Sequence, residues 1–431
     1  MTRLSLVLLT YDGVESFYCG VGAITQYQLA SLRSVRDVFR SRGIDLSAHV
    51  LYSNVPDGGA KCDVIAQRTR TLCDEASATL IPINHSGPSR FGTPTSWPEM
   101  CCEAAKYIQT LTETSDRILV LAQDTPFAGL SPMLPIGNAR KIRLVWIAHS
   151  TGRIWSRDAC NLDIRRDDWE RIAVNEAQSR EHVFLGAPSL YMARHLTNEW
   201  GARPDKLLAF TNGVSFSYLE RFERRPRSFL ASLLQRAGIP LDVPLFLSFA
   251  RAHWYKGLDV AAQIGAMLAS RYGIHPIILA LDDGTGEAIA TVARARELLE
   301  SARAPYTVLA DYSALLPRWI MQWPLCKAVA VMSRREPLGL IPSEYRVLGP
   351  PEGLLITSNA GGLPEQTPFE SEGIVLPLSG SELSVEAIQT VVDAWPKARQ
   401  LLCNRAGRRR VEETYNLELN LSTSLAELLA Y

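Results

Sequence analysis

The sequence lacks several features that would point directly to a class of function. Its 45 basic and 45 acidic side chains cancel, so no net field gathers nucleic-acid phosphates and we expect no nucleic-acid partner. No apolar run reaches the roughly 18–20 residues that cross a bilayer, so no integral membrane segment is predicted. The eight cysteines form no C-x-x-C pair and no zinc spacing with histidine, and a chain of this length does not need disulfides.

The first apolar run resembles a signal peptide only briefly. Leu4–Thr10 ends at Tyr11-Asp12 without a small-residue cleavage site, so a first buried strand is the better interpretation. We therefore expect a cytoplasmic protein.

The chain does contain many short, unbroken apolar runs. Runs without alternation suit strands that are buried on both faces, as in parallel sheets covered by helices. Helical patterns such as Ala23–Arg42 and Ala288–Ala302 lie between them, which predicts an α/β protein with two doubly wound units. The runs are Leu4–Thr10, Ala48–Tyr52, Leu80–Ile83, Ile118–Ala122, Leu144–Ala148, Val183–Leu185, Leu207–Phe210, Leu245–Phe249, Ile277–Leu281, Thr307–Ala310, Ala328–Met332, Leu354–Thr357 and Ile374–Leu376.

A polar, arginine-rich break separates the two series of strands. It lies between Asn212-Gly213 and Pro244 and indicates an interdomain linker. We predict a first domain over 1–215, a second domain over 216–405, and a final helical segment, 406–431, that packs back toward the first domain.

Ligands of open parallel sheets bind beyond the carboxyl ends of the strands, so the residues there are informative. Gly20 and Gly22 begin a helix after the first strand, where backbone N–H groups can approach an anion; a plain helix-starting turn fits them equally well. Arg251 and Lys256 follow the first strand of the second series and suit a diphosphate. The alternative for this pair is two surface cations.

Two glutamates follow a later strand. Glu336 begins the segment Glu336-Pro337-Leu338-Gly339, and Glu344 lies eight residues further on. Carboxylates at this spacing can accept hydrogen bonds from sugar and ribose hydroxyls. Two surface glutamates remain the alternative.

Together these segments resemble the retaining glycosyltransferases of the GT-B fold, in particular glycosyltransferase family 4. Five motifs occur in the family's order and cover most of residues 1–400. They are Gly20-Val21-Gly22, Asn212-Gly213-Val214, Arg251…Lys256-Gly257-Leu258-Asp259, Glu336-Pro337-Leu338-Gly339…Glu344 and Ser358-Asn359-Ala360-Gly361-Gly362-Leu363-Pro364-Glu365. The resemblance implies a GT-B fold, with two Rossmann-like domains facing across a cleft. It also implies that the N-terminal domain, 1–215, binds the acceptor and that the C-terminal domain, 216–405, binds the nucleotide sugar.

The resemblance also implies roles for individual residues. Arg251 and Lys256 would neutralise the leaving diphosphate of a UDP- or GDP-sugar, and Glu336 would hold the transferred sugar. Glu344 would bind the ribose. His149, after the strand Leu144–Ala148, would face the anomeric carbon as a catalytic and acceptor-binding residue; a purely structural strand-end histidine is the alternative. The remaining donor-binding residues implied are Gly20, Gly22, Leu338, Gly339 and Leu340.

The sequence predicts less about the acceptor, and about a metal, than about the donor. Asp124 ends another strand and is expected to contact the acceptor. Asp282-Asp283-Gly284 imitates a metal-binding D-x-D motif but occupies a turn position of the second domain, so no metal and no cofactor is expected. The first helix carries no aromatic border typical of membrane binding, so we prefer a small soluble acceptor; the arginine-rich composition is compatible with a natural product, as in antibiotic biosynthesis.

Three other functions share these features. A non-catalytic sugar-nucleotide-binding partner or regulator would keep the fold without transfer. Polysaccharide or lipid-linked glycan transfer, and epimerisation of a sugar nucleotide, are further alternatives, although Asp124 is the one visible carboxylate for the latter.

Overall fold

A computed structural model of the chain describes residues 2–16, 19–55, 61–134, 140–155, 163–281, 284–378, 384–398 and 402–431. Two compact units are present: Met1–Ser215 together with Asn416–Tyr431, and Phe216–Tyr415. Asp282 and Asp283 of the metal-like motif lie outside the described residues. Within the described ranges, every helix is too short or too polar to span a membrane.

The first unit is built on a parallel sheet of seven strands in the order β3-β2-β1-β4-β5-β6-β7. Leu6, Val7 and Leu9 of β1 are fully shielded from solvent, as expected for a central strand covered on both faces. The strands are β1 (Thr2–Thr10), β2 (Ile44–Asn54), β3 (Ala78–Asn84), β4 (Arg117–Gln123), β5 (Ile142–Ile147), β6 (Val183–Ala187) and β7 (Leu207–Ala209).

Helices connect these strands. The longest, α1, buries Leu29, Leu32, Val35 and Phe39, the three- and four-residue spacing of one helix face. The helices of this part of the chain are α1 (Gly20–Ser41), α2 (Asp63–Ala76), α3 (Trp97–Thr114), α4 (Gly152–Trp155), α5 (Ile164–Ser179) and α6 (Leu190–Trp200).

The second unit has a parallel sheet of six strands in the order β10-β9-β8-β11-β12-β13. Its strands are β8 (Leu245–Arg251), β9 (His275–Leu281), β10 (Thr307–Leu309), β11 (Cys326–Val331), β12 (Leu354–Ser358) and β13 (Ile374–Leu376). Its helices are α7 (Phe216–Tyr218), α8 (Arg227–Arg236), α9 (Leu258–Tyr272), α10 (Gly286–Glu300), α11 (Leu316–Met321), α12 (Ile341–Leu348), α13 (Leu363–Gln366), α14 (Val385–Ala398) and α15 (Cys403–Thr414).

The last helix, α16 (Leu417–Ala430), returns to the first unit. Its Ser424 hydroxyl donates to the carbonyl of Ala209 at the end of β7, 2.6 Å away. The predicted final segment, 406–431, is thus divided between the units: its first part lies in α15 of the second unit, and the contact boundary falls between Tyr415 and Asn416.

The order of the strands marks one position in each sheet where the connections reverse direction. This position lies between β1 and β4 in the first unit and between β8 and β11 in the second. The connections that leave the carboxyl ends of such neighbouring strands run in opposite directions, and doubly wound proteins bind their ligands in the crevice between them.

Candidate functional site

The reversal point of the second sheet brings together residues from two motifs. Lys256 follows β8 and Glu336 follows β11, and the Lys256 Nζ lies 2.7 Å from Oε2 of Glu336. Both side chains are largely buried, with 17% and 11% of their surface exposed. The Ser333 hydroxyl donates to the same carboxylate oxygen at 3.1 Å. A cation and a carboxylate that are 80 residues apart in sequence are therefore in contact at the carboxyl ends of two central strands.

Arg251, the other predicted diphosphate ligand, ends β8 itself. One of its guanidinium nitrogens donates to the Tyr255 hydroxyl at 2.9 Å. In the turn that carries Tyr255 and Lys256, the Tyr255 carbonyl accepts the Arg334 N–H at 2.7 Å. The Arg334 guanidinium also pairs with Asp259, at the start of α9, at 2.8 Å. The loop after β11 thus supports the loop after β8, and both predicted cations lie in this supported region.

The glycine pair Gly361-Gly362 fixes the backbone of Glu336. Gly361 has a φ of +57°, and a side chain on it would collide with the Glu336 carbonyl oxygen. Gly362 donates its N–H to that same oxygen at 2.9 Å. These glycines therefore allow the loop after β12 to pack directly against the loop that presents the Glu336 carboxylate.

Leu338, Gly339 and Leu340 connect Glu336 to α12. Leu338 is buried at 3% exposure, and Gly339 adopts a φ of +78°, which favours glycine. The N–H groups of Gly339 and Leu340 donate to no protein atom in the part of the chain that is described. The family resemblance implies that the N–H groups of Leu338 and Gly339 contact the sugar or phosphates, so the Gly339 N–H is available for its predicted role.

Glu344 lies in different surroundings from Glu336. It is 3% exposed, and its Oε1 accepts from Arg318 at 2.6 Å. Arg318 is itself 4% exposed and lies 3.8 Å from Glu223. A buried charge of this kind needs its partner, because an unpaired carboxylate is strongly disfavoured in a protein interior. The predicted ribose ligand is therefore part of a buried ion cluster.

At the reversal point of the first sheet, Asp124 follows β4. Its φ of +65° is unusual for a residue with a side chain, and such strain is often found at functional positions. The Tyr11 hydroxyl, after β1, donates to its carboxylate at 3.3 Å, and the Ser150 N–H contacts the other oxygen at 3.3 Å. Burial raises the Asp124 pKa to about 6, against the opposing effect of the nearby Arg166 charge.

A second cluster of polar side chains contacts Thr125, the residue after Asp124. Arg166 donates to Glu170 at 2.7 Å and to the Thr125 hydroxyl at 2.8 Å. Glu170 is fully buried and also accepts the Gly152 N–H at 3.0 Å. Arg166 and Glu170 therefore link Thr125, next to the predicted acceptor residue, to the loop that contains Gly152.

His149 lies after β5 in a directional chain of hydrogen bonds. Its Nδ1 is 3.1 Å from the Asn212 amide nitrogen, and its Nε2 is 3.1 Å from the Gln123 amide oxygen. Gln123 in turn donates to Gln28 at 2.9 Å. This pattern requires the proton on Nε2, with Nδ1 as acceptor. Burial lowers the His149 pKa to about 4, so the ring is neutral at physiological pH.

The Asp12 side chain, from the loop after β1, lies at the start of α1. Its carboxylate accepts from the Cys19 N–H at 2.9 Å and from the Ser16 hydroxyl at 3.0 Å. A side chain at Gly22 would come within 2.5 Å of that carboxylate, whereas Gly20 has open space around it. Gly22 thus makes room for an acidic cap, and phosphate contact at Gly20 and Gly22 remains a prediction.

No family model and no curated protein matches the sequence, but solved structures resemble the whole chain. Sucrose-phosphate synthase from Thermosynechococcus elongatus has a TM-score of 0.68 at 15% identity and covers 100% of both chains. HepE from Anabaena, in complex with UDP, has a TM-score of 0.62 at 19% identity and 100% coverage of both. An α,α-trehalose-phosphate synthase from Burkholderia vietnamiensis has 0.63 at 14%, covering 99% of this chain and 100% of its own.

These likenesses confirm the predicted fold class. The chain has the two-sheet α/β architecture of the GT-B fold. At these identities the likeness is one of fold, and the site has to be judged on its own residues.

Several residues near the predicted site residues were missed by sequence reasoning and belong to none of the five motifs. Tyr11, Arg318 and Gln366 contact predicted site residues, and Arg166 contacts Thr125, the residue after Asp124. Tyr11 is the one with a visible signal, because it directly follows a predicted strand. No group of three or more histidine, cysteine, aspartate or glutamate side chains within the described ranges is arranged to hold a metal ion.

Proposed function

We propose that the chain is a retaining glycosyltransferase that moves a sugar from a UDP- or GDP-sugar to a small soluble acceptor, without a metal. The observation that carries the proposal is the Lys256–Glu336 pair, 2.7 Å apart at the reversal point of the second sheet. A cation that binds the diphosphate and a carboxylate that binds the sugar hydroxyls would lie close together, because one bond joins these two parts of a nucleotide sugar. HepE of the same fold is solved with UDP-glucose.

In this proposal the second unit binds the donor. Arg251 and Lys256 neutralise the diphosphate as it leaves, which is the place where negative charge develops. Lys256 then exchanges its Glu336 contact for a phosphate oxygen, and the freed carboxylate accepts hydrogen bonds from the sugar. Glu344, held in place by Arg318, accepts a hydrogen bond from the ribose.

The first unit binds the acceptor. Asp124 accepts a hydrogen bond from an acceptor hydroxyl, and His149 presents a neutral ring toward the reacting carbon. A neutral ring suits this position because positive charge develops on the sugar as its bond to the diphosphate lengthens. Small natural products, such as antibiotic precursors, are one acceptor class compatible with such a site.

Retention of configuration requires that the acceptor attack on the face from which the diphosphate leaves. The acceptor oxygen forms a bond to the anomeric carbon while the bond from that carbon to the phosphate oxygen breaks. The acceptor proton passes to a phosphate oxygen of the leaving diphosphate. This reaction needs no enzymic nucleophile, in contrast to a retaining glycosidase, which uses a second carboxylate for that purpose.

Nucleotide binding tests the donor site. Calorimetry with UDP, GDP, ADP and dTDP, without added metal, should show binding of one nucleotide, and that nucleotide should raise the melting temperature. Lys256→Ala should weaken this binding and lower turnover by roughly 10²–10³, as for other groups that stabilise developing charge.

Lys327 provides a matched control. It forms a partly buried pair with Glu352. However, it lies near the amino end of β11, whereas the proposed donor site lies at the carboxyl ends of the strands. Lys327→Ala should therefore leave nucleotide affinity unchanged. If wild type binds no nucleotide at millimolar concentration, the proposal fails. If it binds a nucleotide sugar but releases no nucleoside diphosphate with any acceptor, the protein is a binding partner or regulator.

A further inference from the structure

Gln366, at the end of α13, forms hydrogen bonds with the loop between Glu336 and α12. Its side-chain nitrogen donates to the carbonyl oxygens of both Leu338 and Gly339, at 2.8 and 2.7 Å. Its side-chain oxygen accepts from the Ser343 hydroxyl at 2.7 Å. Gln366 is 1% exposed, so the three contacts use its donor and acceptor groups away from water, and the orientation of the amide is fixed.

These contacts set the direction of two backbone donors. In a trans peptide the N–H points opposite to the carbonyl of the same peptide unit, and the chain has no cis peptide among its described residues. With the Leu338 and Gly339 carbonyls held by Gln366, the N–H groups of Gly339 and Leu340 must point away from it.

The two donors are adjacent in the chain and lie on the same side of the loop, opposite Gln366. Gly339, which joins their two peptide units, has a φ of +78°, a left-handed conformation that favours glycine. Successive backbone N–H groups in such a turn can bind a negatively charged oxygen. Neither N–H donates to another protein atom within the described ranges.

We propose that Gln366 is a positioning residue that aims the Gly339 and Leu340 N–H groups at an oxygen of the bound nucleotide sugar. This inference rests on the proposed function, because the oxygen belongs to the donor. Gln366 acts through the backbone and does not itself touch the ligand. Substituting it should therefore affect ligands that carry the oxygen and leave the nucleoside part unaffected.

The test compares three probes by calorimetry on purified full-length protein: the nucleoside, the nucleoside diphosphate and the nucleotide sugar. Gln366→Met has a similar volume without the donor. Gln366→Glu keeps the acceptor for Ser343 but turns a carboxylate oxygen toward two carbonyls. Both should bind the nucleotide sugar about 10–100-fold more weakly, the loss expected for one or two misdirected hydrogen bonds to a charged group.

Gln322 is the matched control in the same unit. Its side-chain nitrogen also bridges two backbone carbonyls, those of Glu223 and Arg318, at 2.9 and 3.0 Å. Gln322→Met should lower the melting temperature as Gln366→Met does, yet leave all three affinities unchanged. A difference in affinity between the two variants therefore reports on the direction of the loop N–H groups and not on a general loss of packing.

The outcomes distinguish the inference from the function on which it depends. Weakening of the diphosphate and the nucleotide sugar places the oxygen on the phosphates, and weakening of the nucleotide sugar alone places it on the sugar; both support the inference. Equal weakening of the nucleoside, or no change in any affinity, would overturn it while leaving the donor site intact. If wild type binds none of the probes, the proposed function fails first.

Discussion

Replacing Asn212 by aspartate should turn His149 into a group that is protonated much more readily. Asn212 donates to Nδ1 of the ring at 3.1 Å; aspartate has nearly the same shape but offers a charged acceptor there. The imidazolium would then donate from both nitrogens, to the introduced carboxylate and to Gln123. In this Asn212→Asp variant we expect His149 to be the most strongly affected histidine.

The expected size of the effect follows from the wild-type surroundings. Burial lowers the His149 pKa from 6.5 to about 4, which corresponds to about 3 kcal/mol against the charged ring. An opposite charge in contact shifts a pKa by about 1–3 units, so the His149 pKa in Asn212→Asp should lie at roughly 5–7. Asn212→Leu removes the donor without adding charge; its His149 pKa should stay low, because burial is the main cause.

The assay is a pH titration followed by NMR of protein labelled with ¹⁵N-histidine. The His149 signals are assigned by their loss in His149→Gln. Wild type should show one neutral tautomer, protonated on Nε2, down to about pH 5. If wild-type His149 titrates near 6.5, or if Asn212→Asp leaves its pKa unchanged, the hydrogen-bond chain through Asn212 and Gln123 is not the one described.

Two further predictions concern buried carboxylates. The Asp124 pKa is raised to about 6 from 3.8, so the charge that it carries at neutral pH costs up to about 3 kcal/mol of stability, and this cost disappears as the pH falls to 4. Asp124→Asn should therefore gain stability over wild type at pH 7.5 but not at pH 4 in urea denaturation; a difference independent of pH would contradict this. Arg318→Met should cost about 3–5 kcal/mol by removing the buried cation that pairs with Glu344, with partial recovery in Arg318→Met/Glu344→Gln; a loss below 1 kcal/mol would show that Glu344 can reach water.

Sequence reasoning worked best where one physical cause dominates. Strands buried on both faces must be continuously apolar, so Ile118–Ala122 predicts β4 and Ala328–Met332 predicts β11 to within two residues at each end. The polar residue that ends or follows an apolar run then marks the carboxyl end of the strand, which is where such sheets bind ligands. Asp124 and Arg251 could be selected in this way before the fold was known, whereas Glu336 was selected from its spacing to Glu344 and from the family motif.

Contacts between loops could not be predicted in the same way. Gln366 lies 28 residues from Leu338, and Arg318 lies 26 residues from Glu344; neither spacing has a periodicity that a helix or strand would impose. Which buried amide or guanidinium meets which partner depends on how neighbouring loops pack. Glu344 illustrates the consequence, because its spacing from Glu336 predicts a hydroxyl ligand but does not reveal its buried arginine.

Glycine motifs show most clearly why a pattern of residues leaves its cause open. Gly22 and Gly361 both stand where any side chain would collide, but with different groups: the Asp12 carboxylate in one case and the Glu336 carbonyl in the other. Neither collision involves a phosphate. A glycine at a sheet edge therefore indicates close approach, and the structure identifies what approaches. At Gly361 the close approach is what presents Glu336, so this glycine serves the proposed donor site through the loop it supports and needs no contact with the ligand.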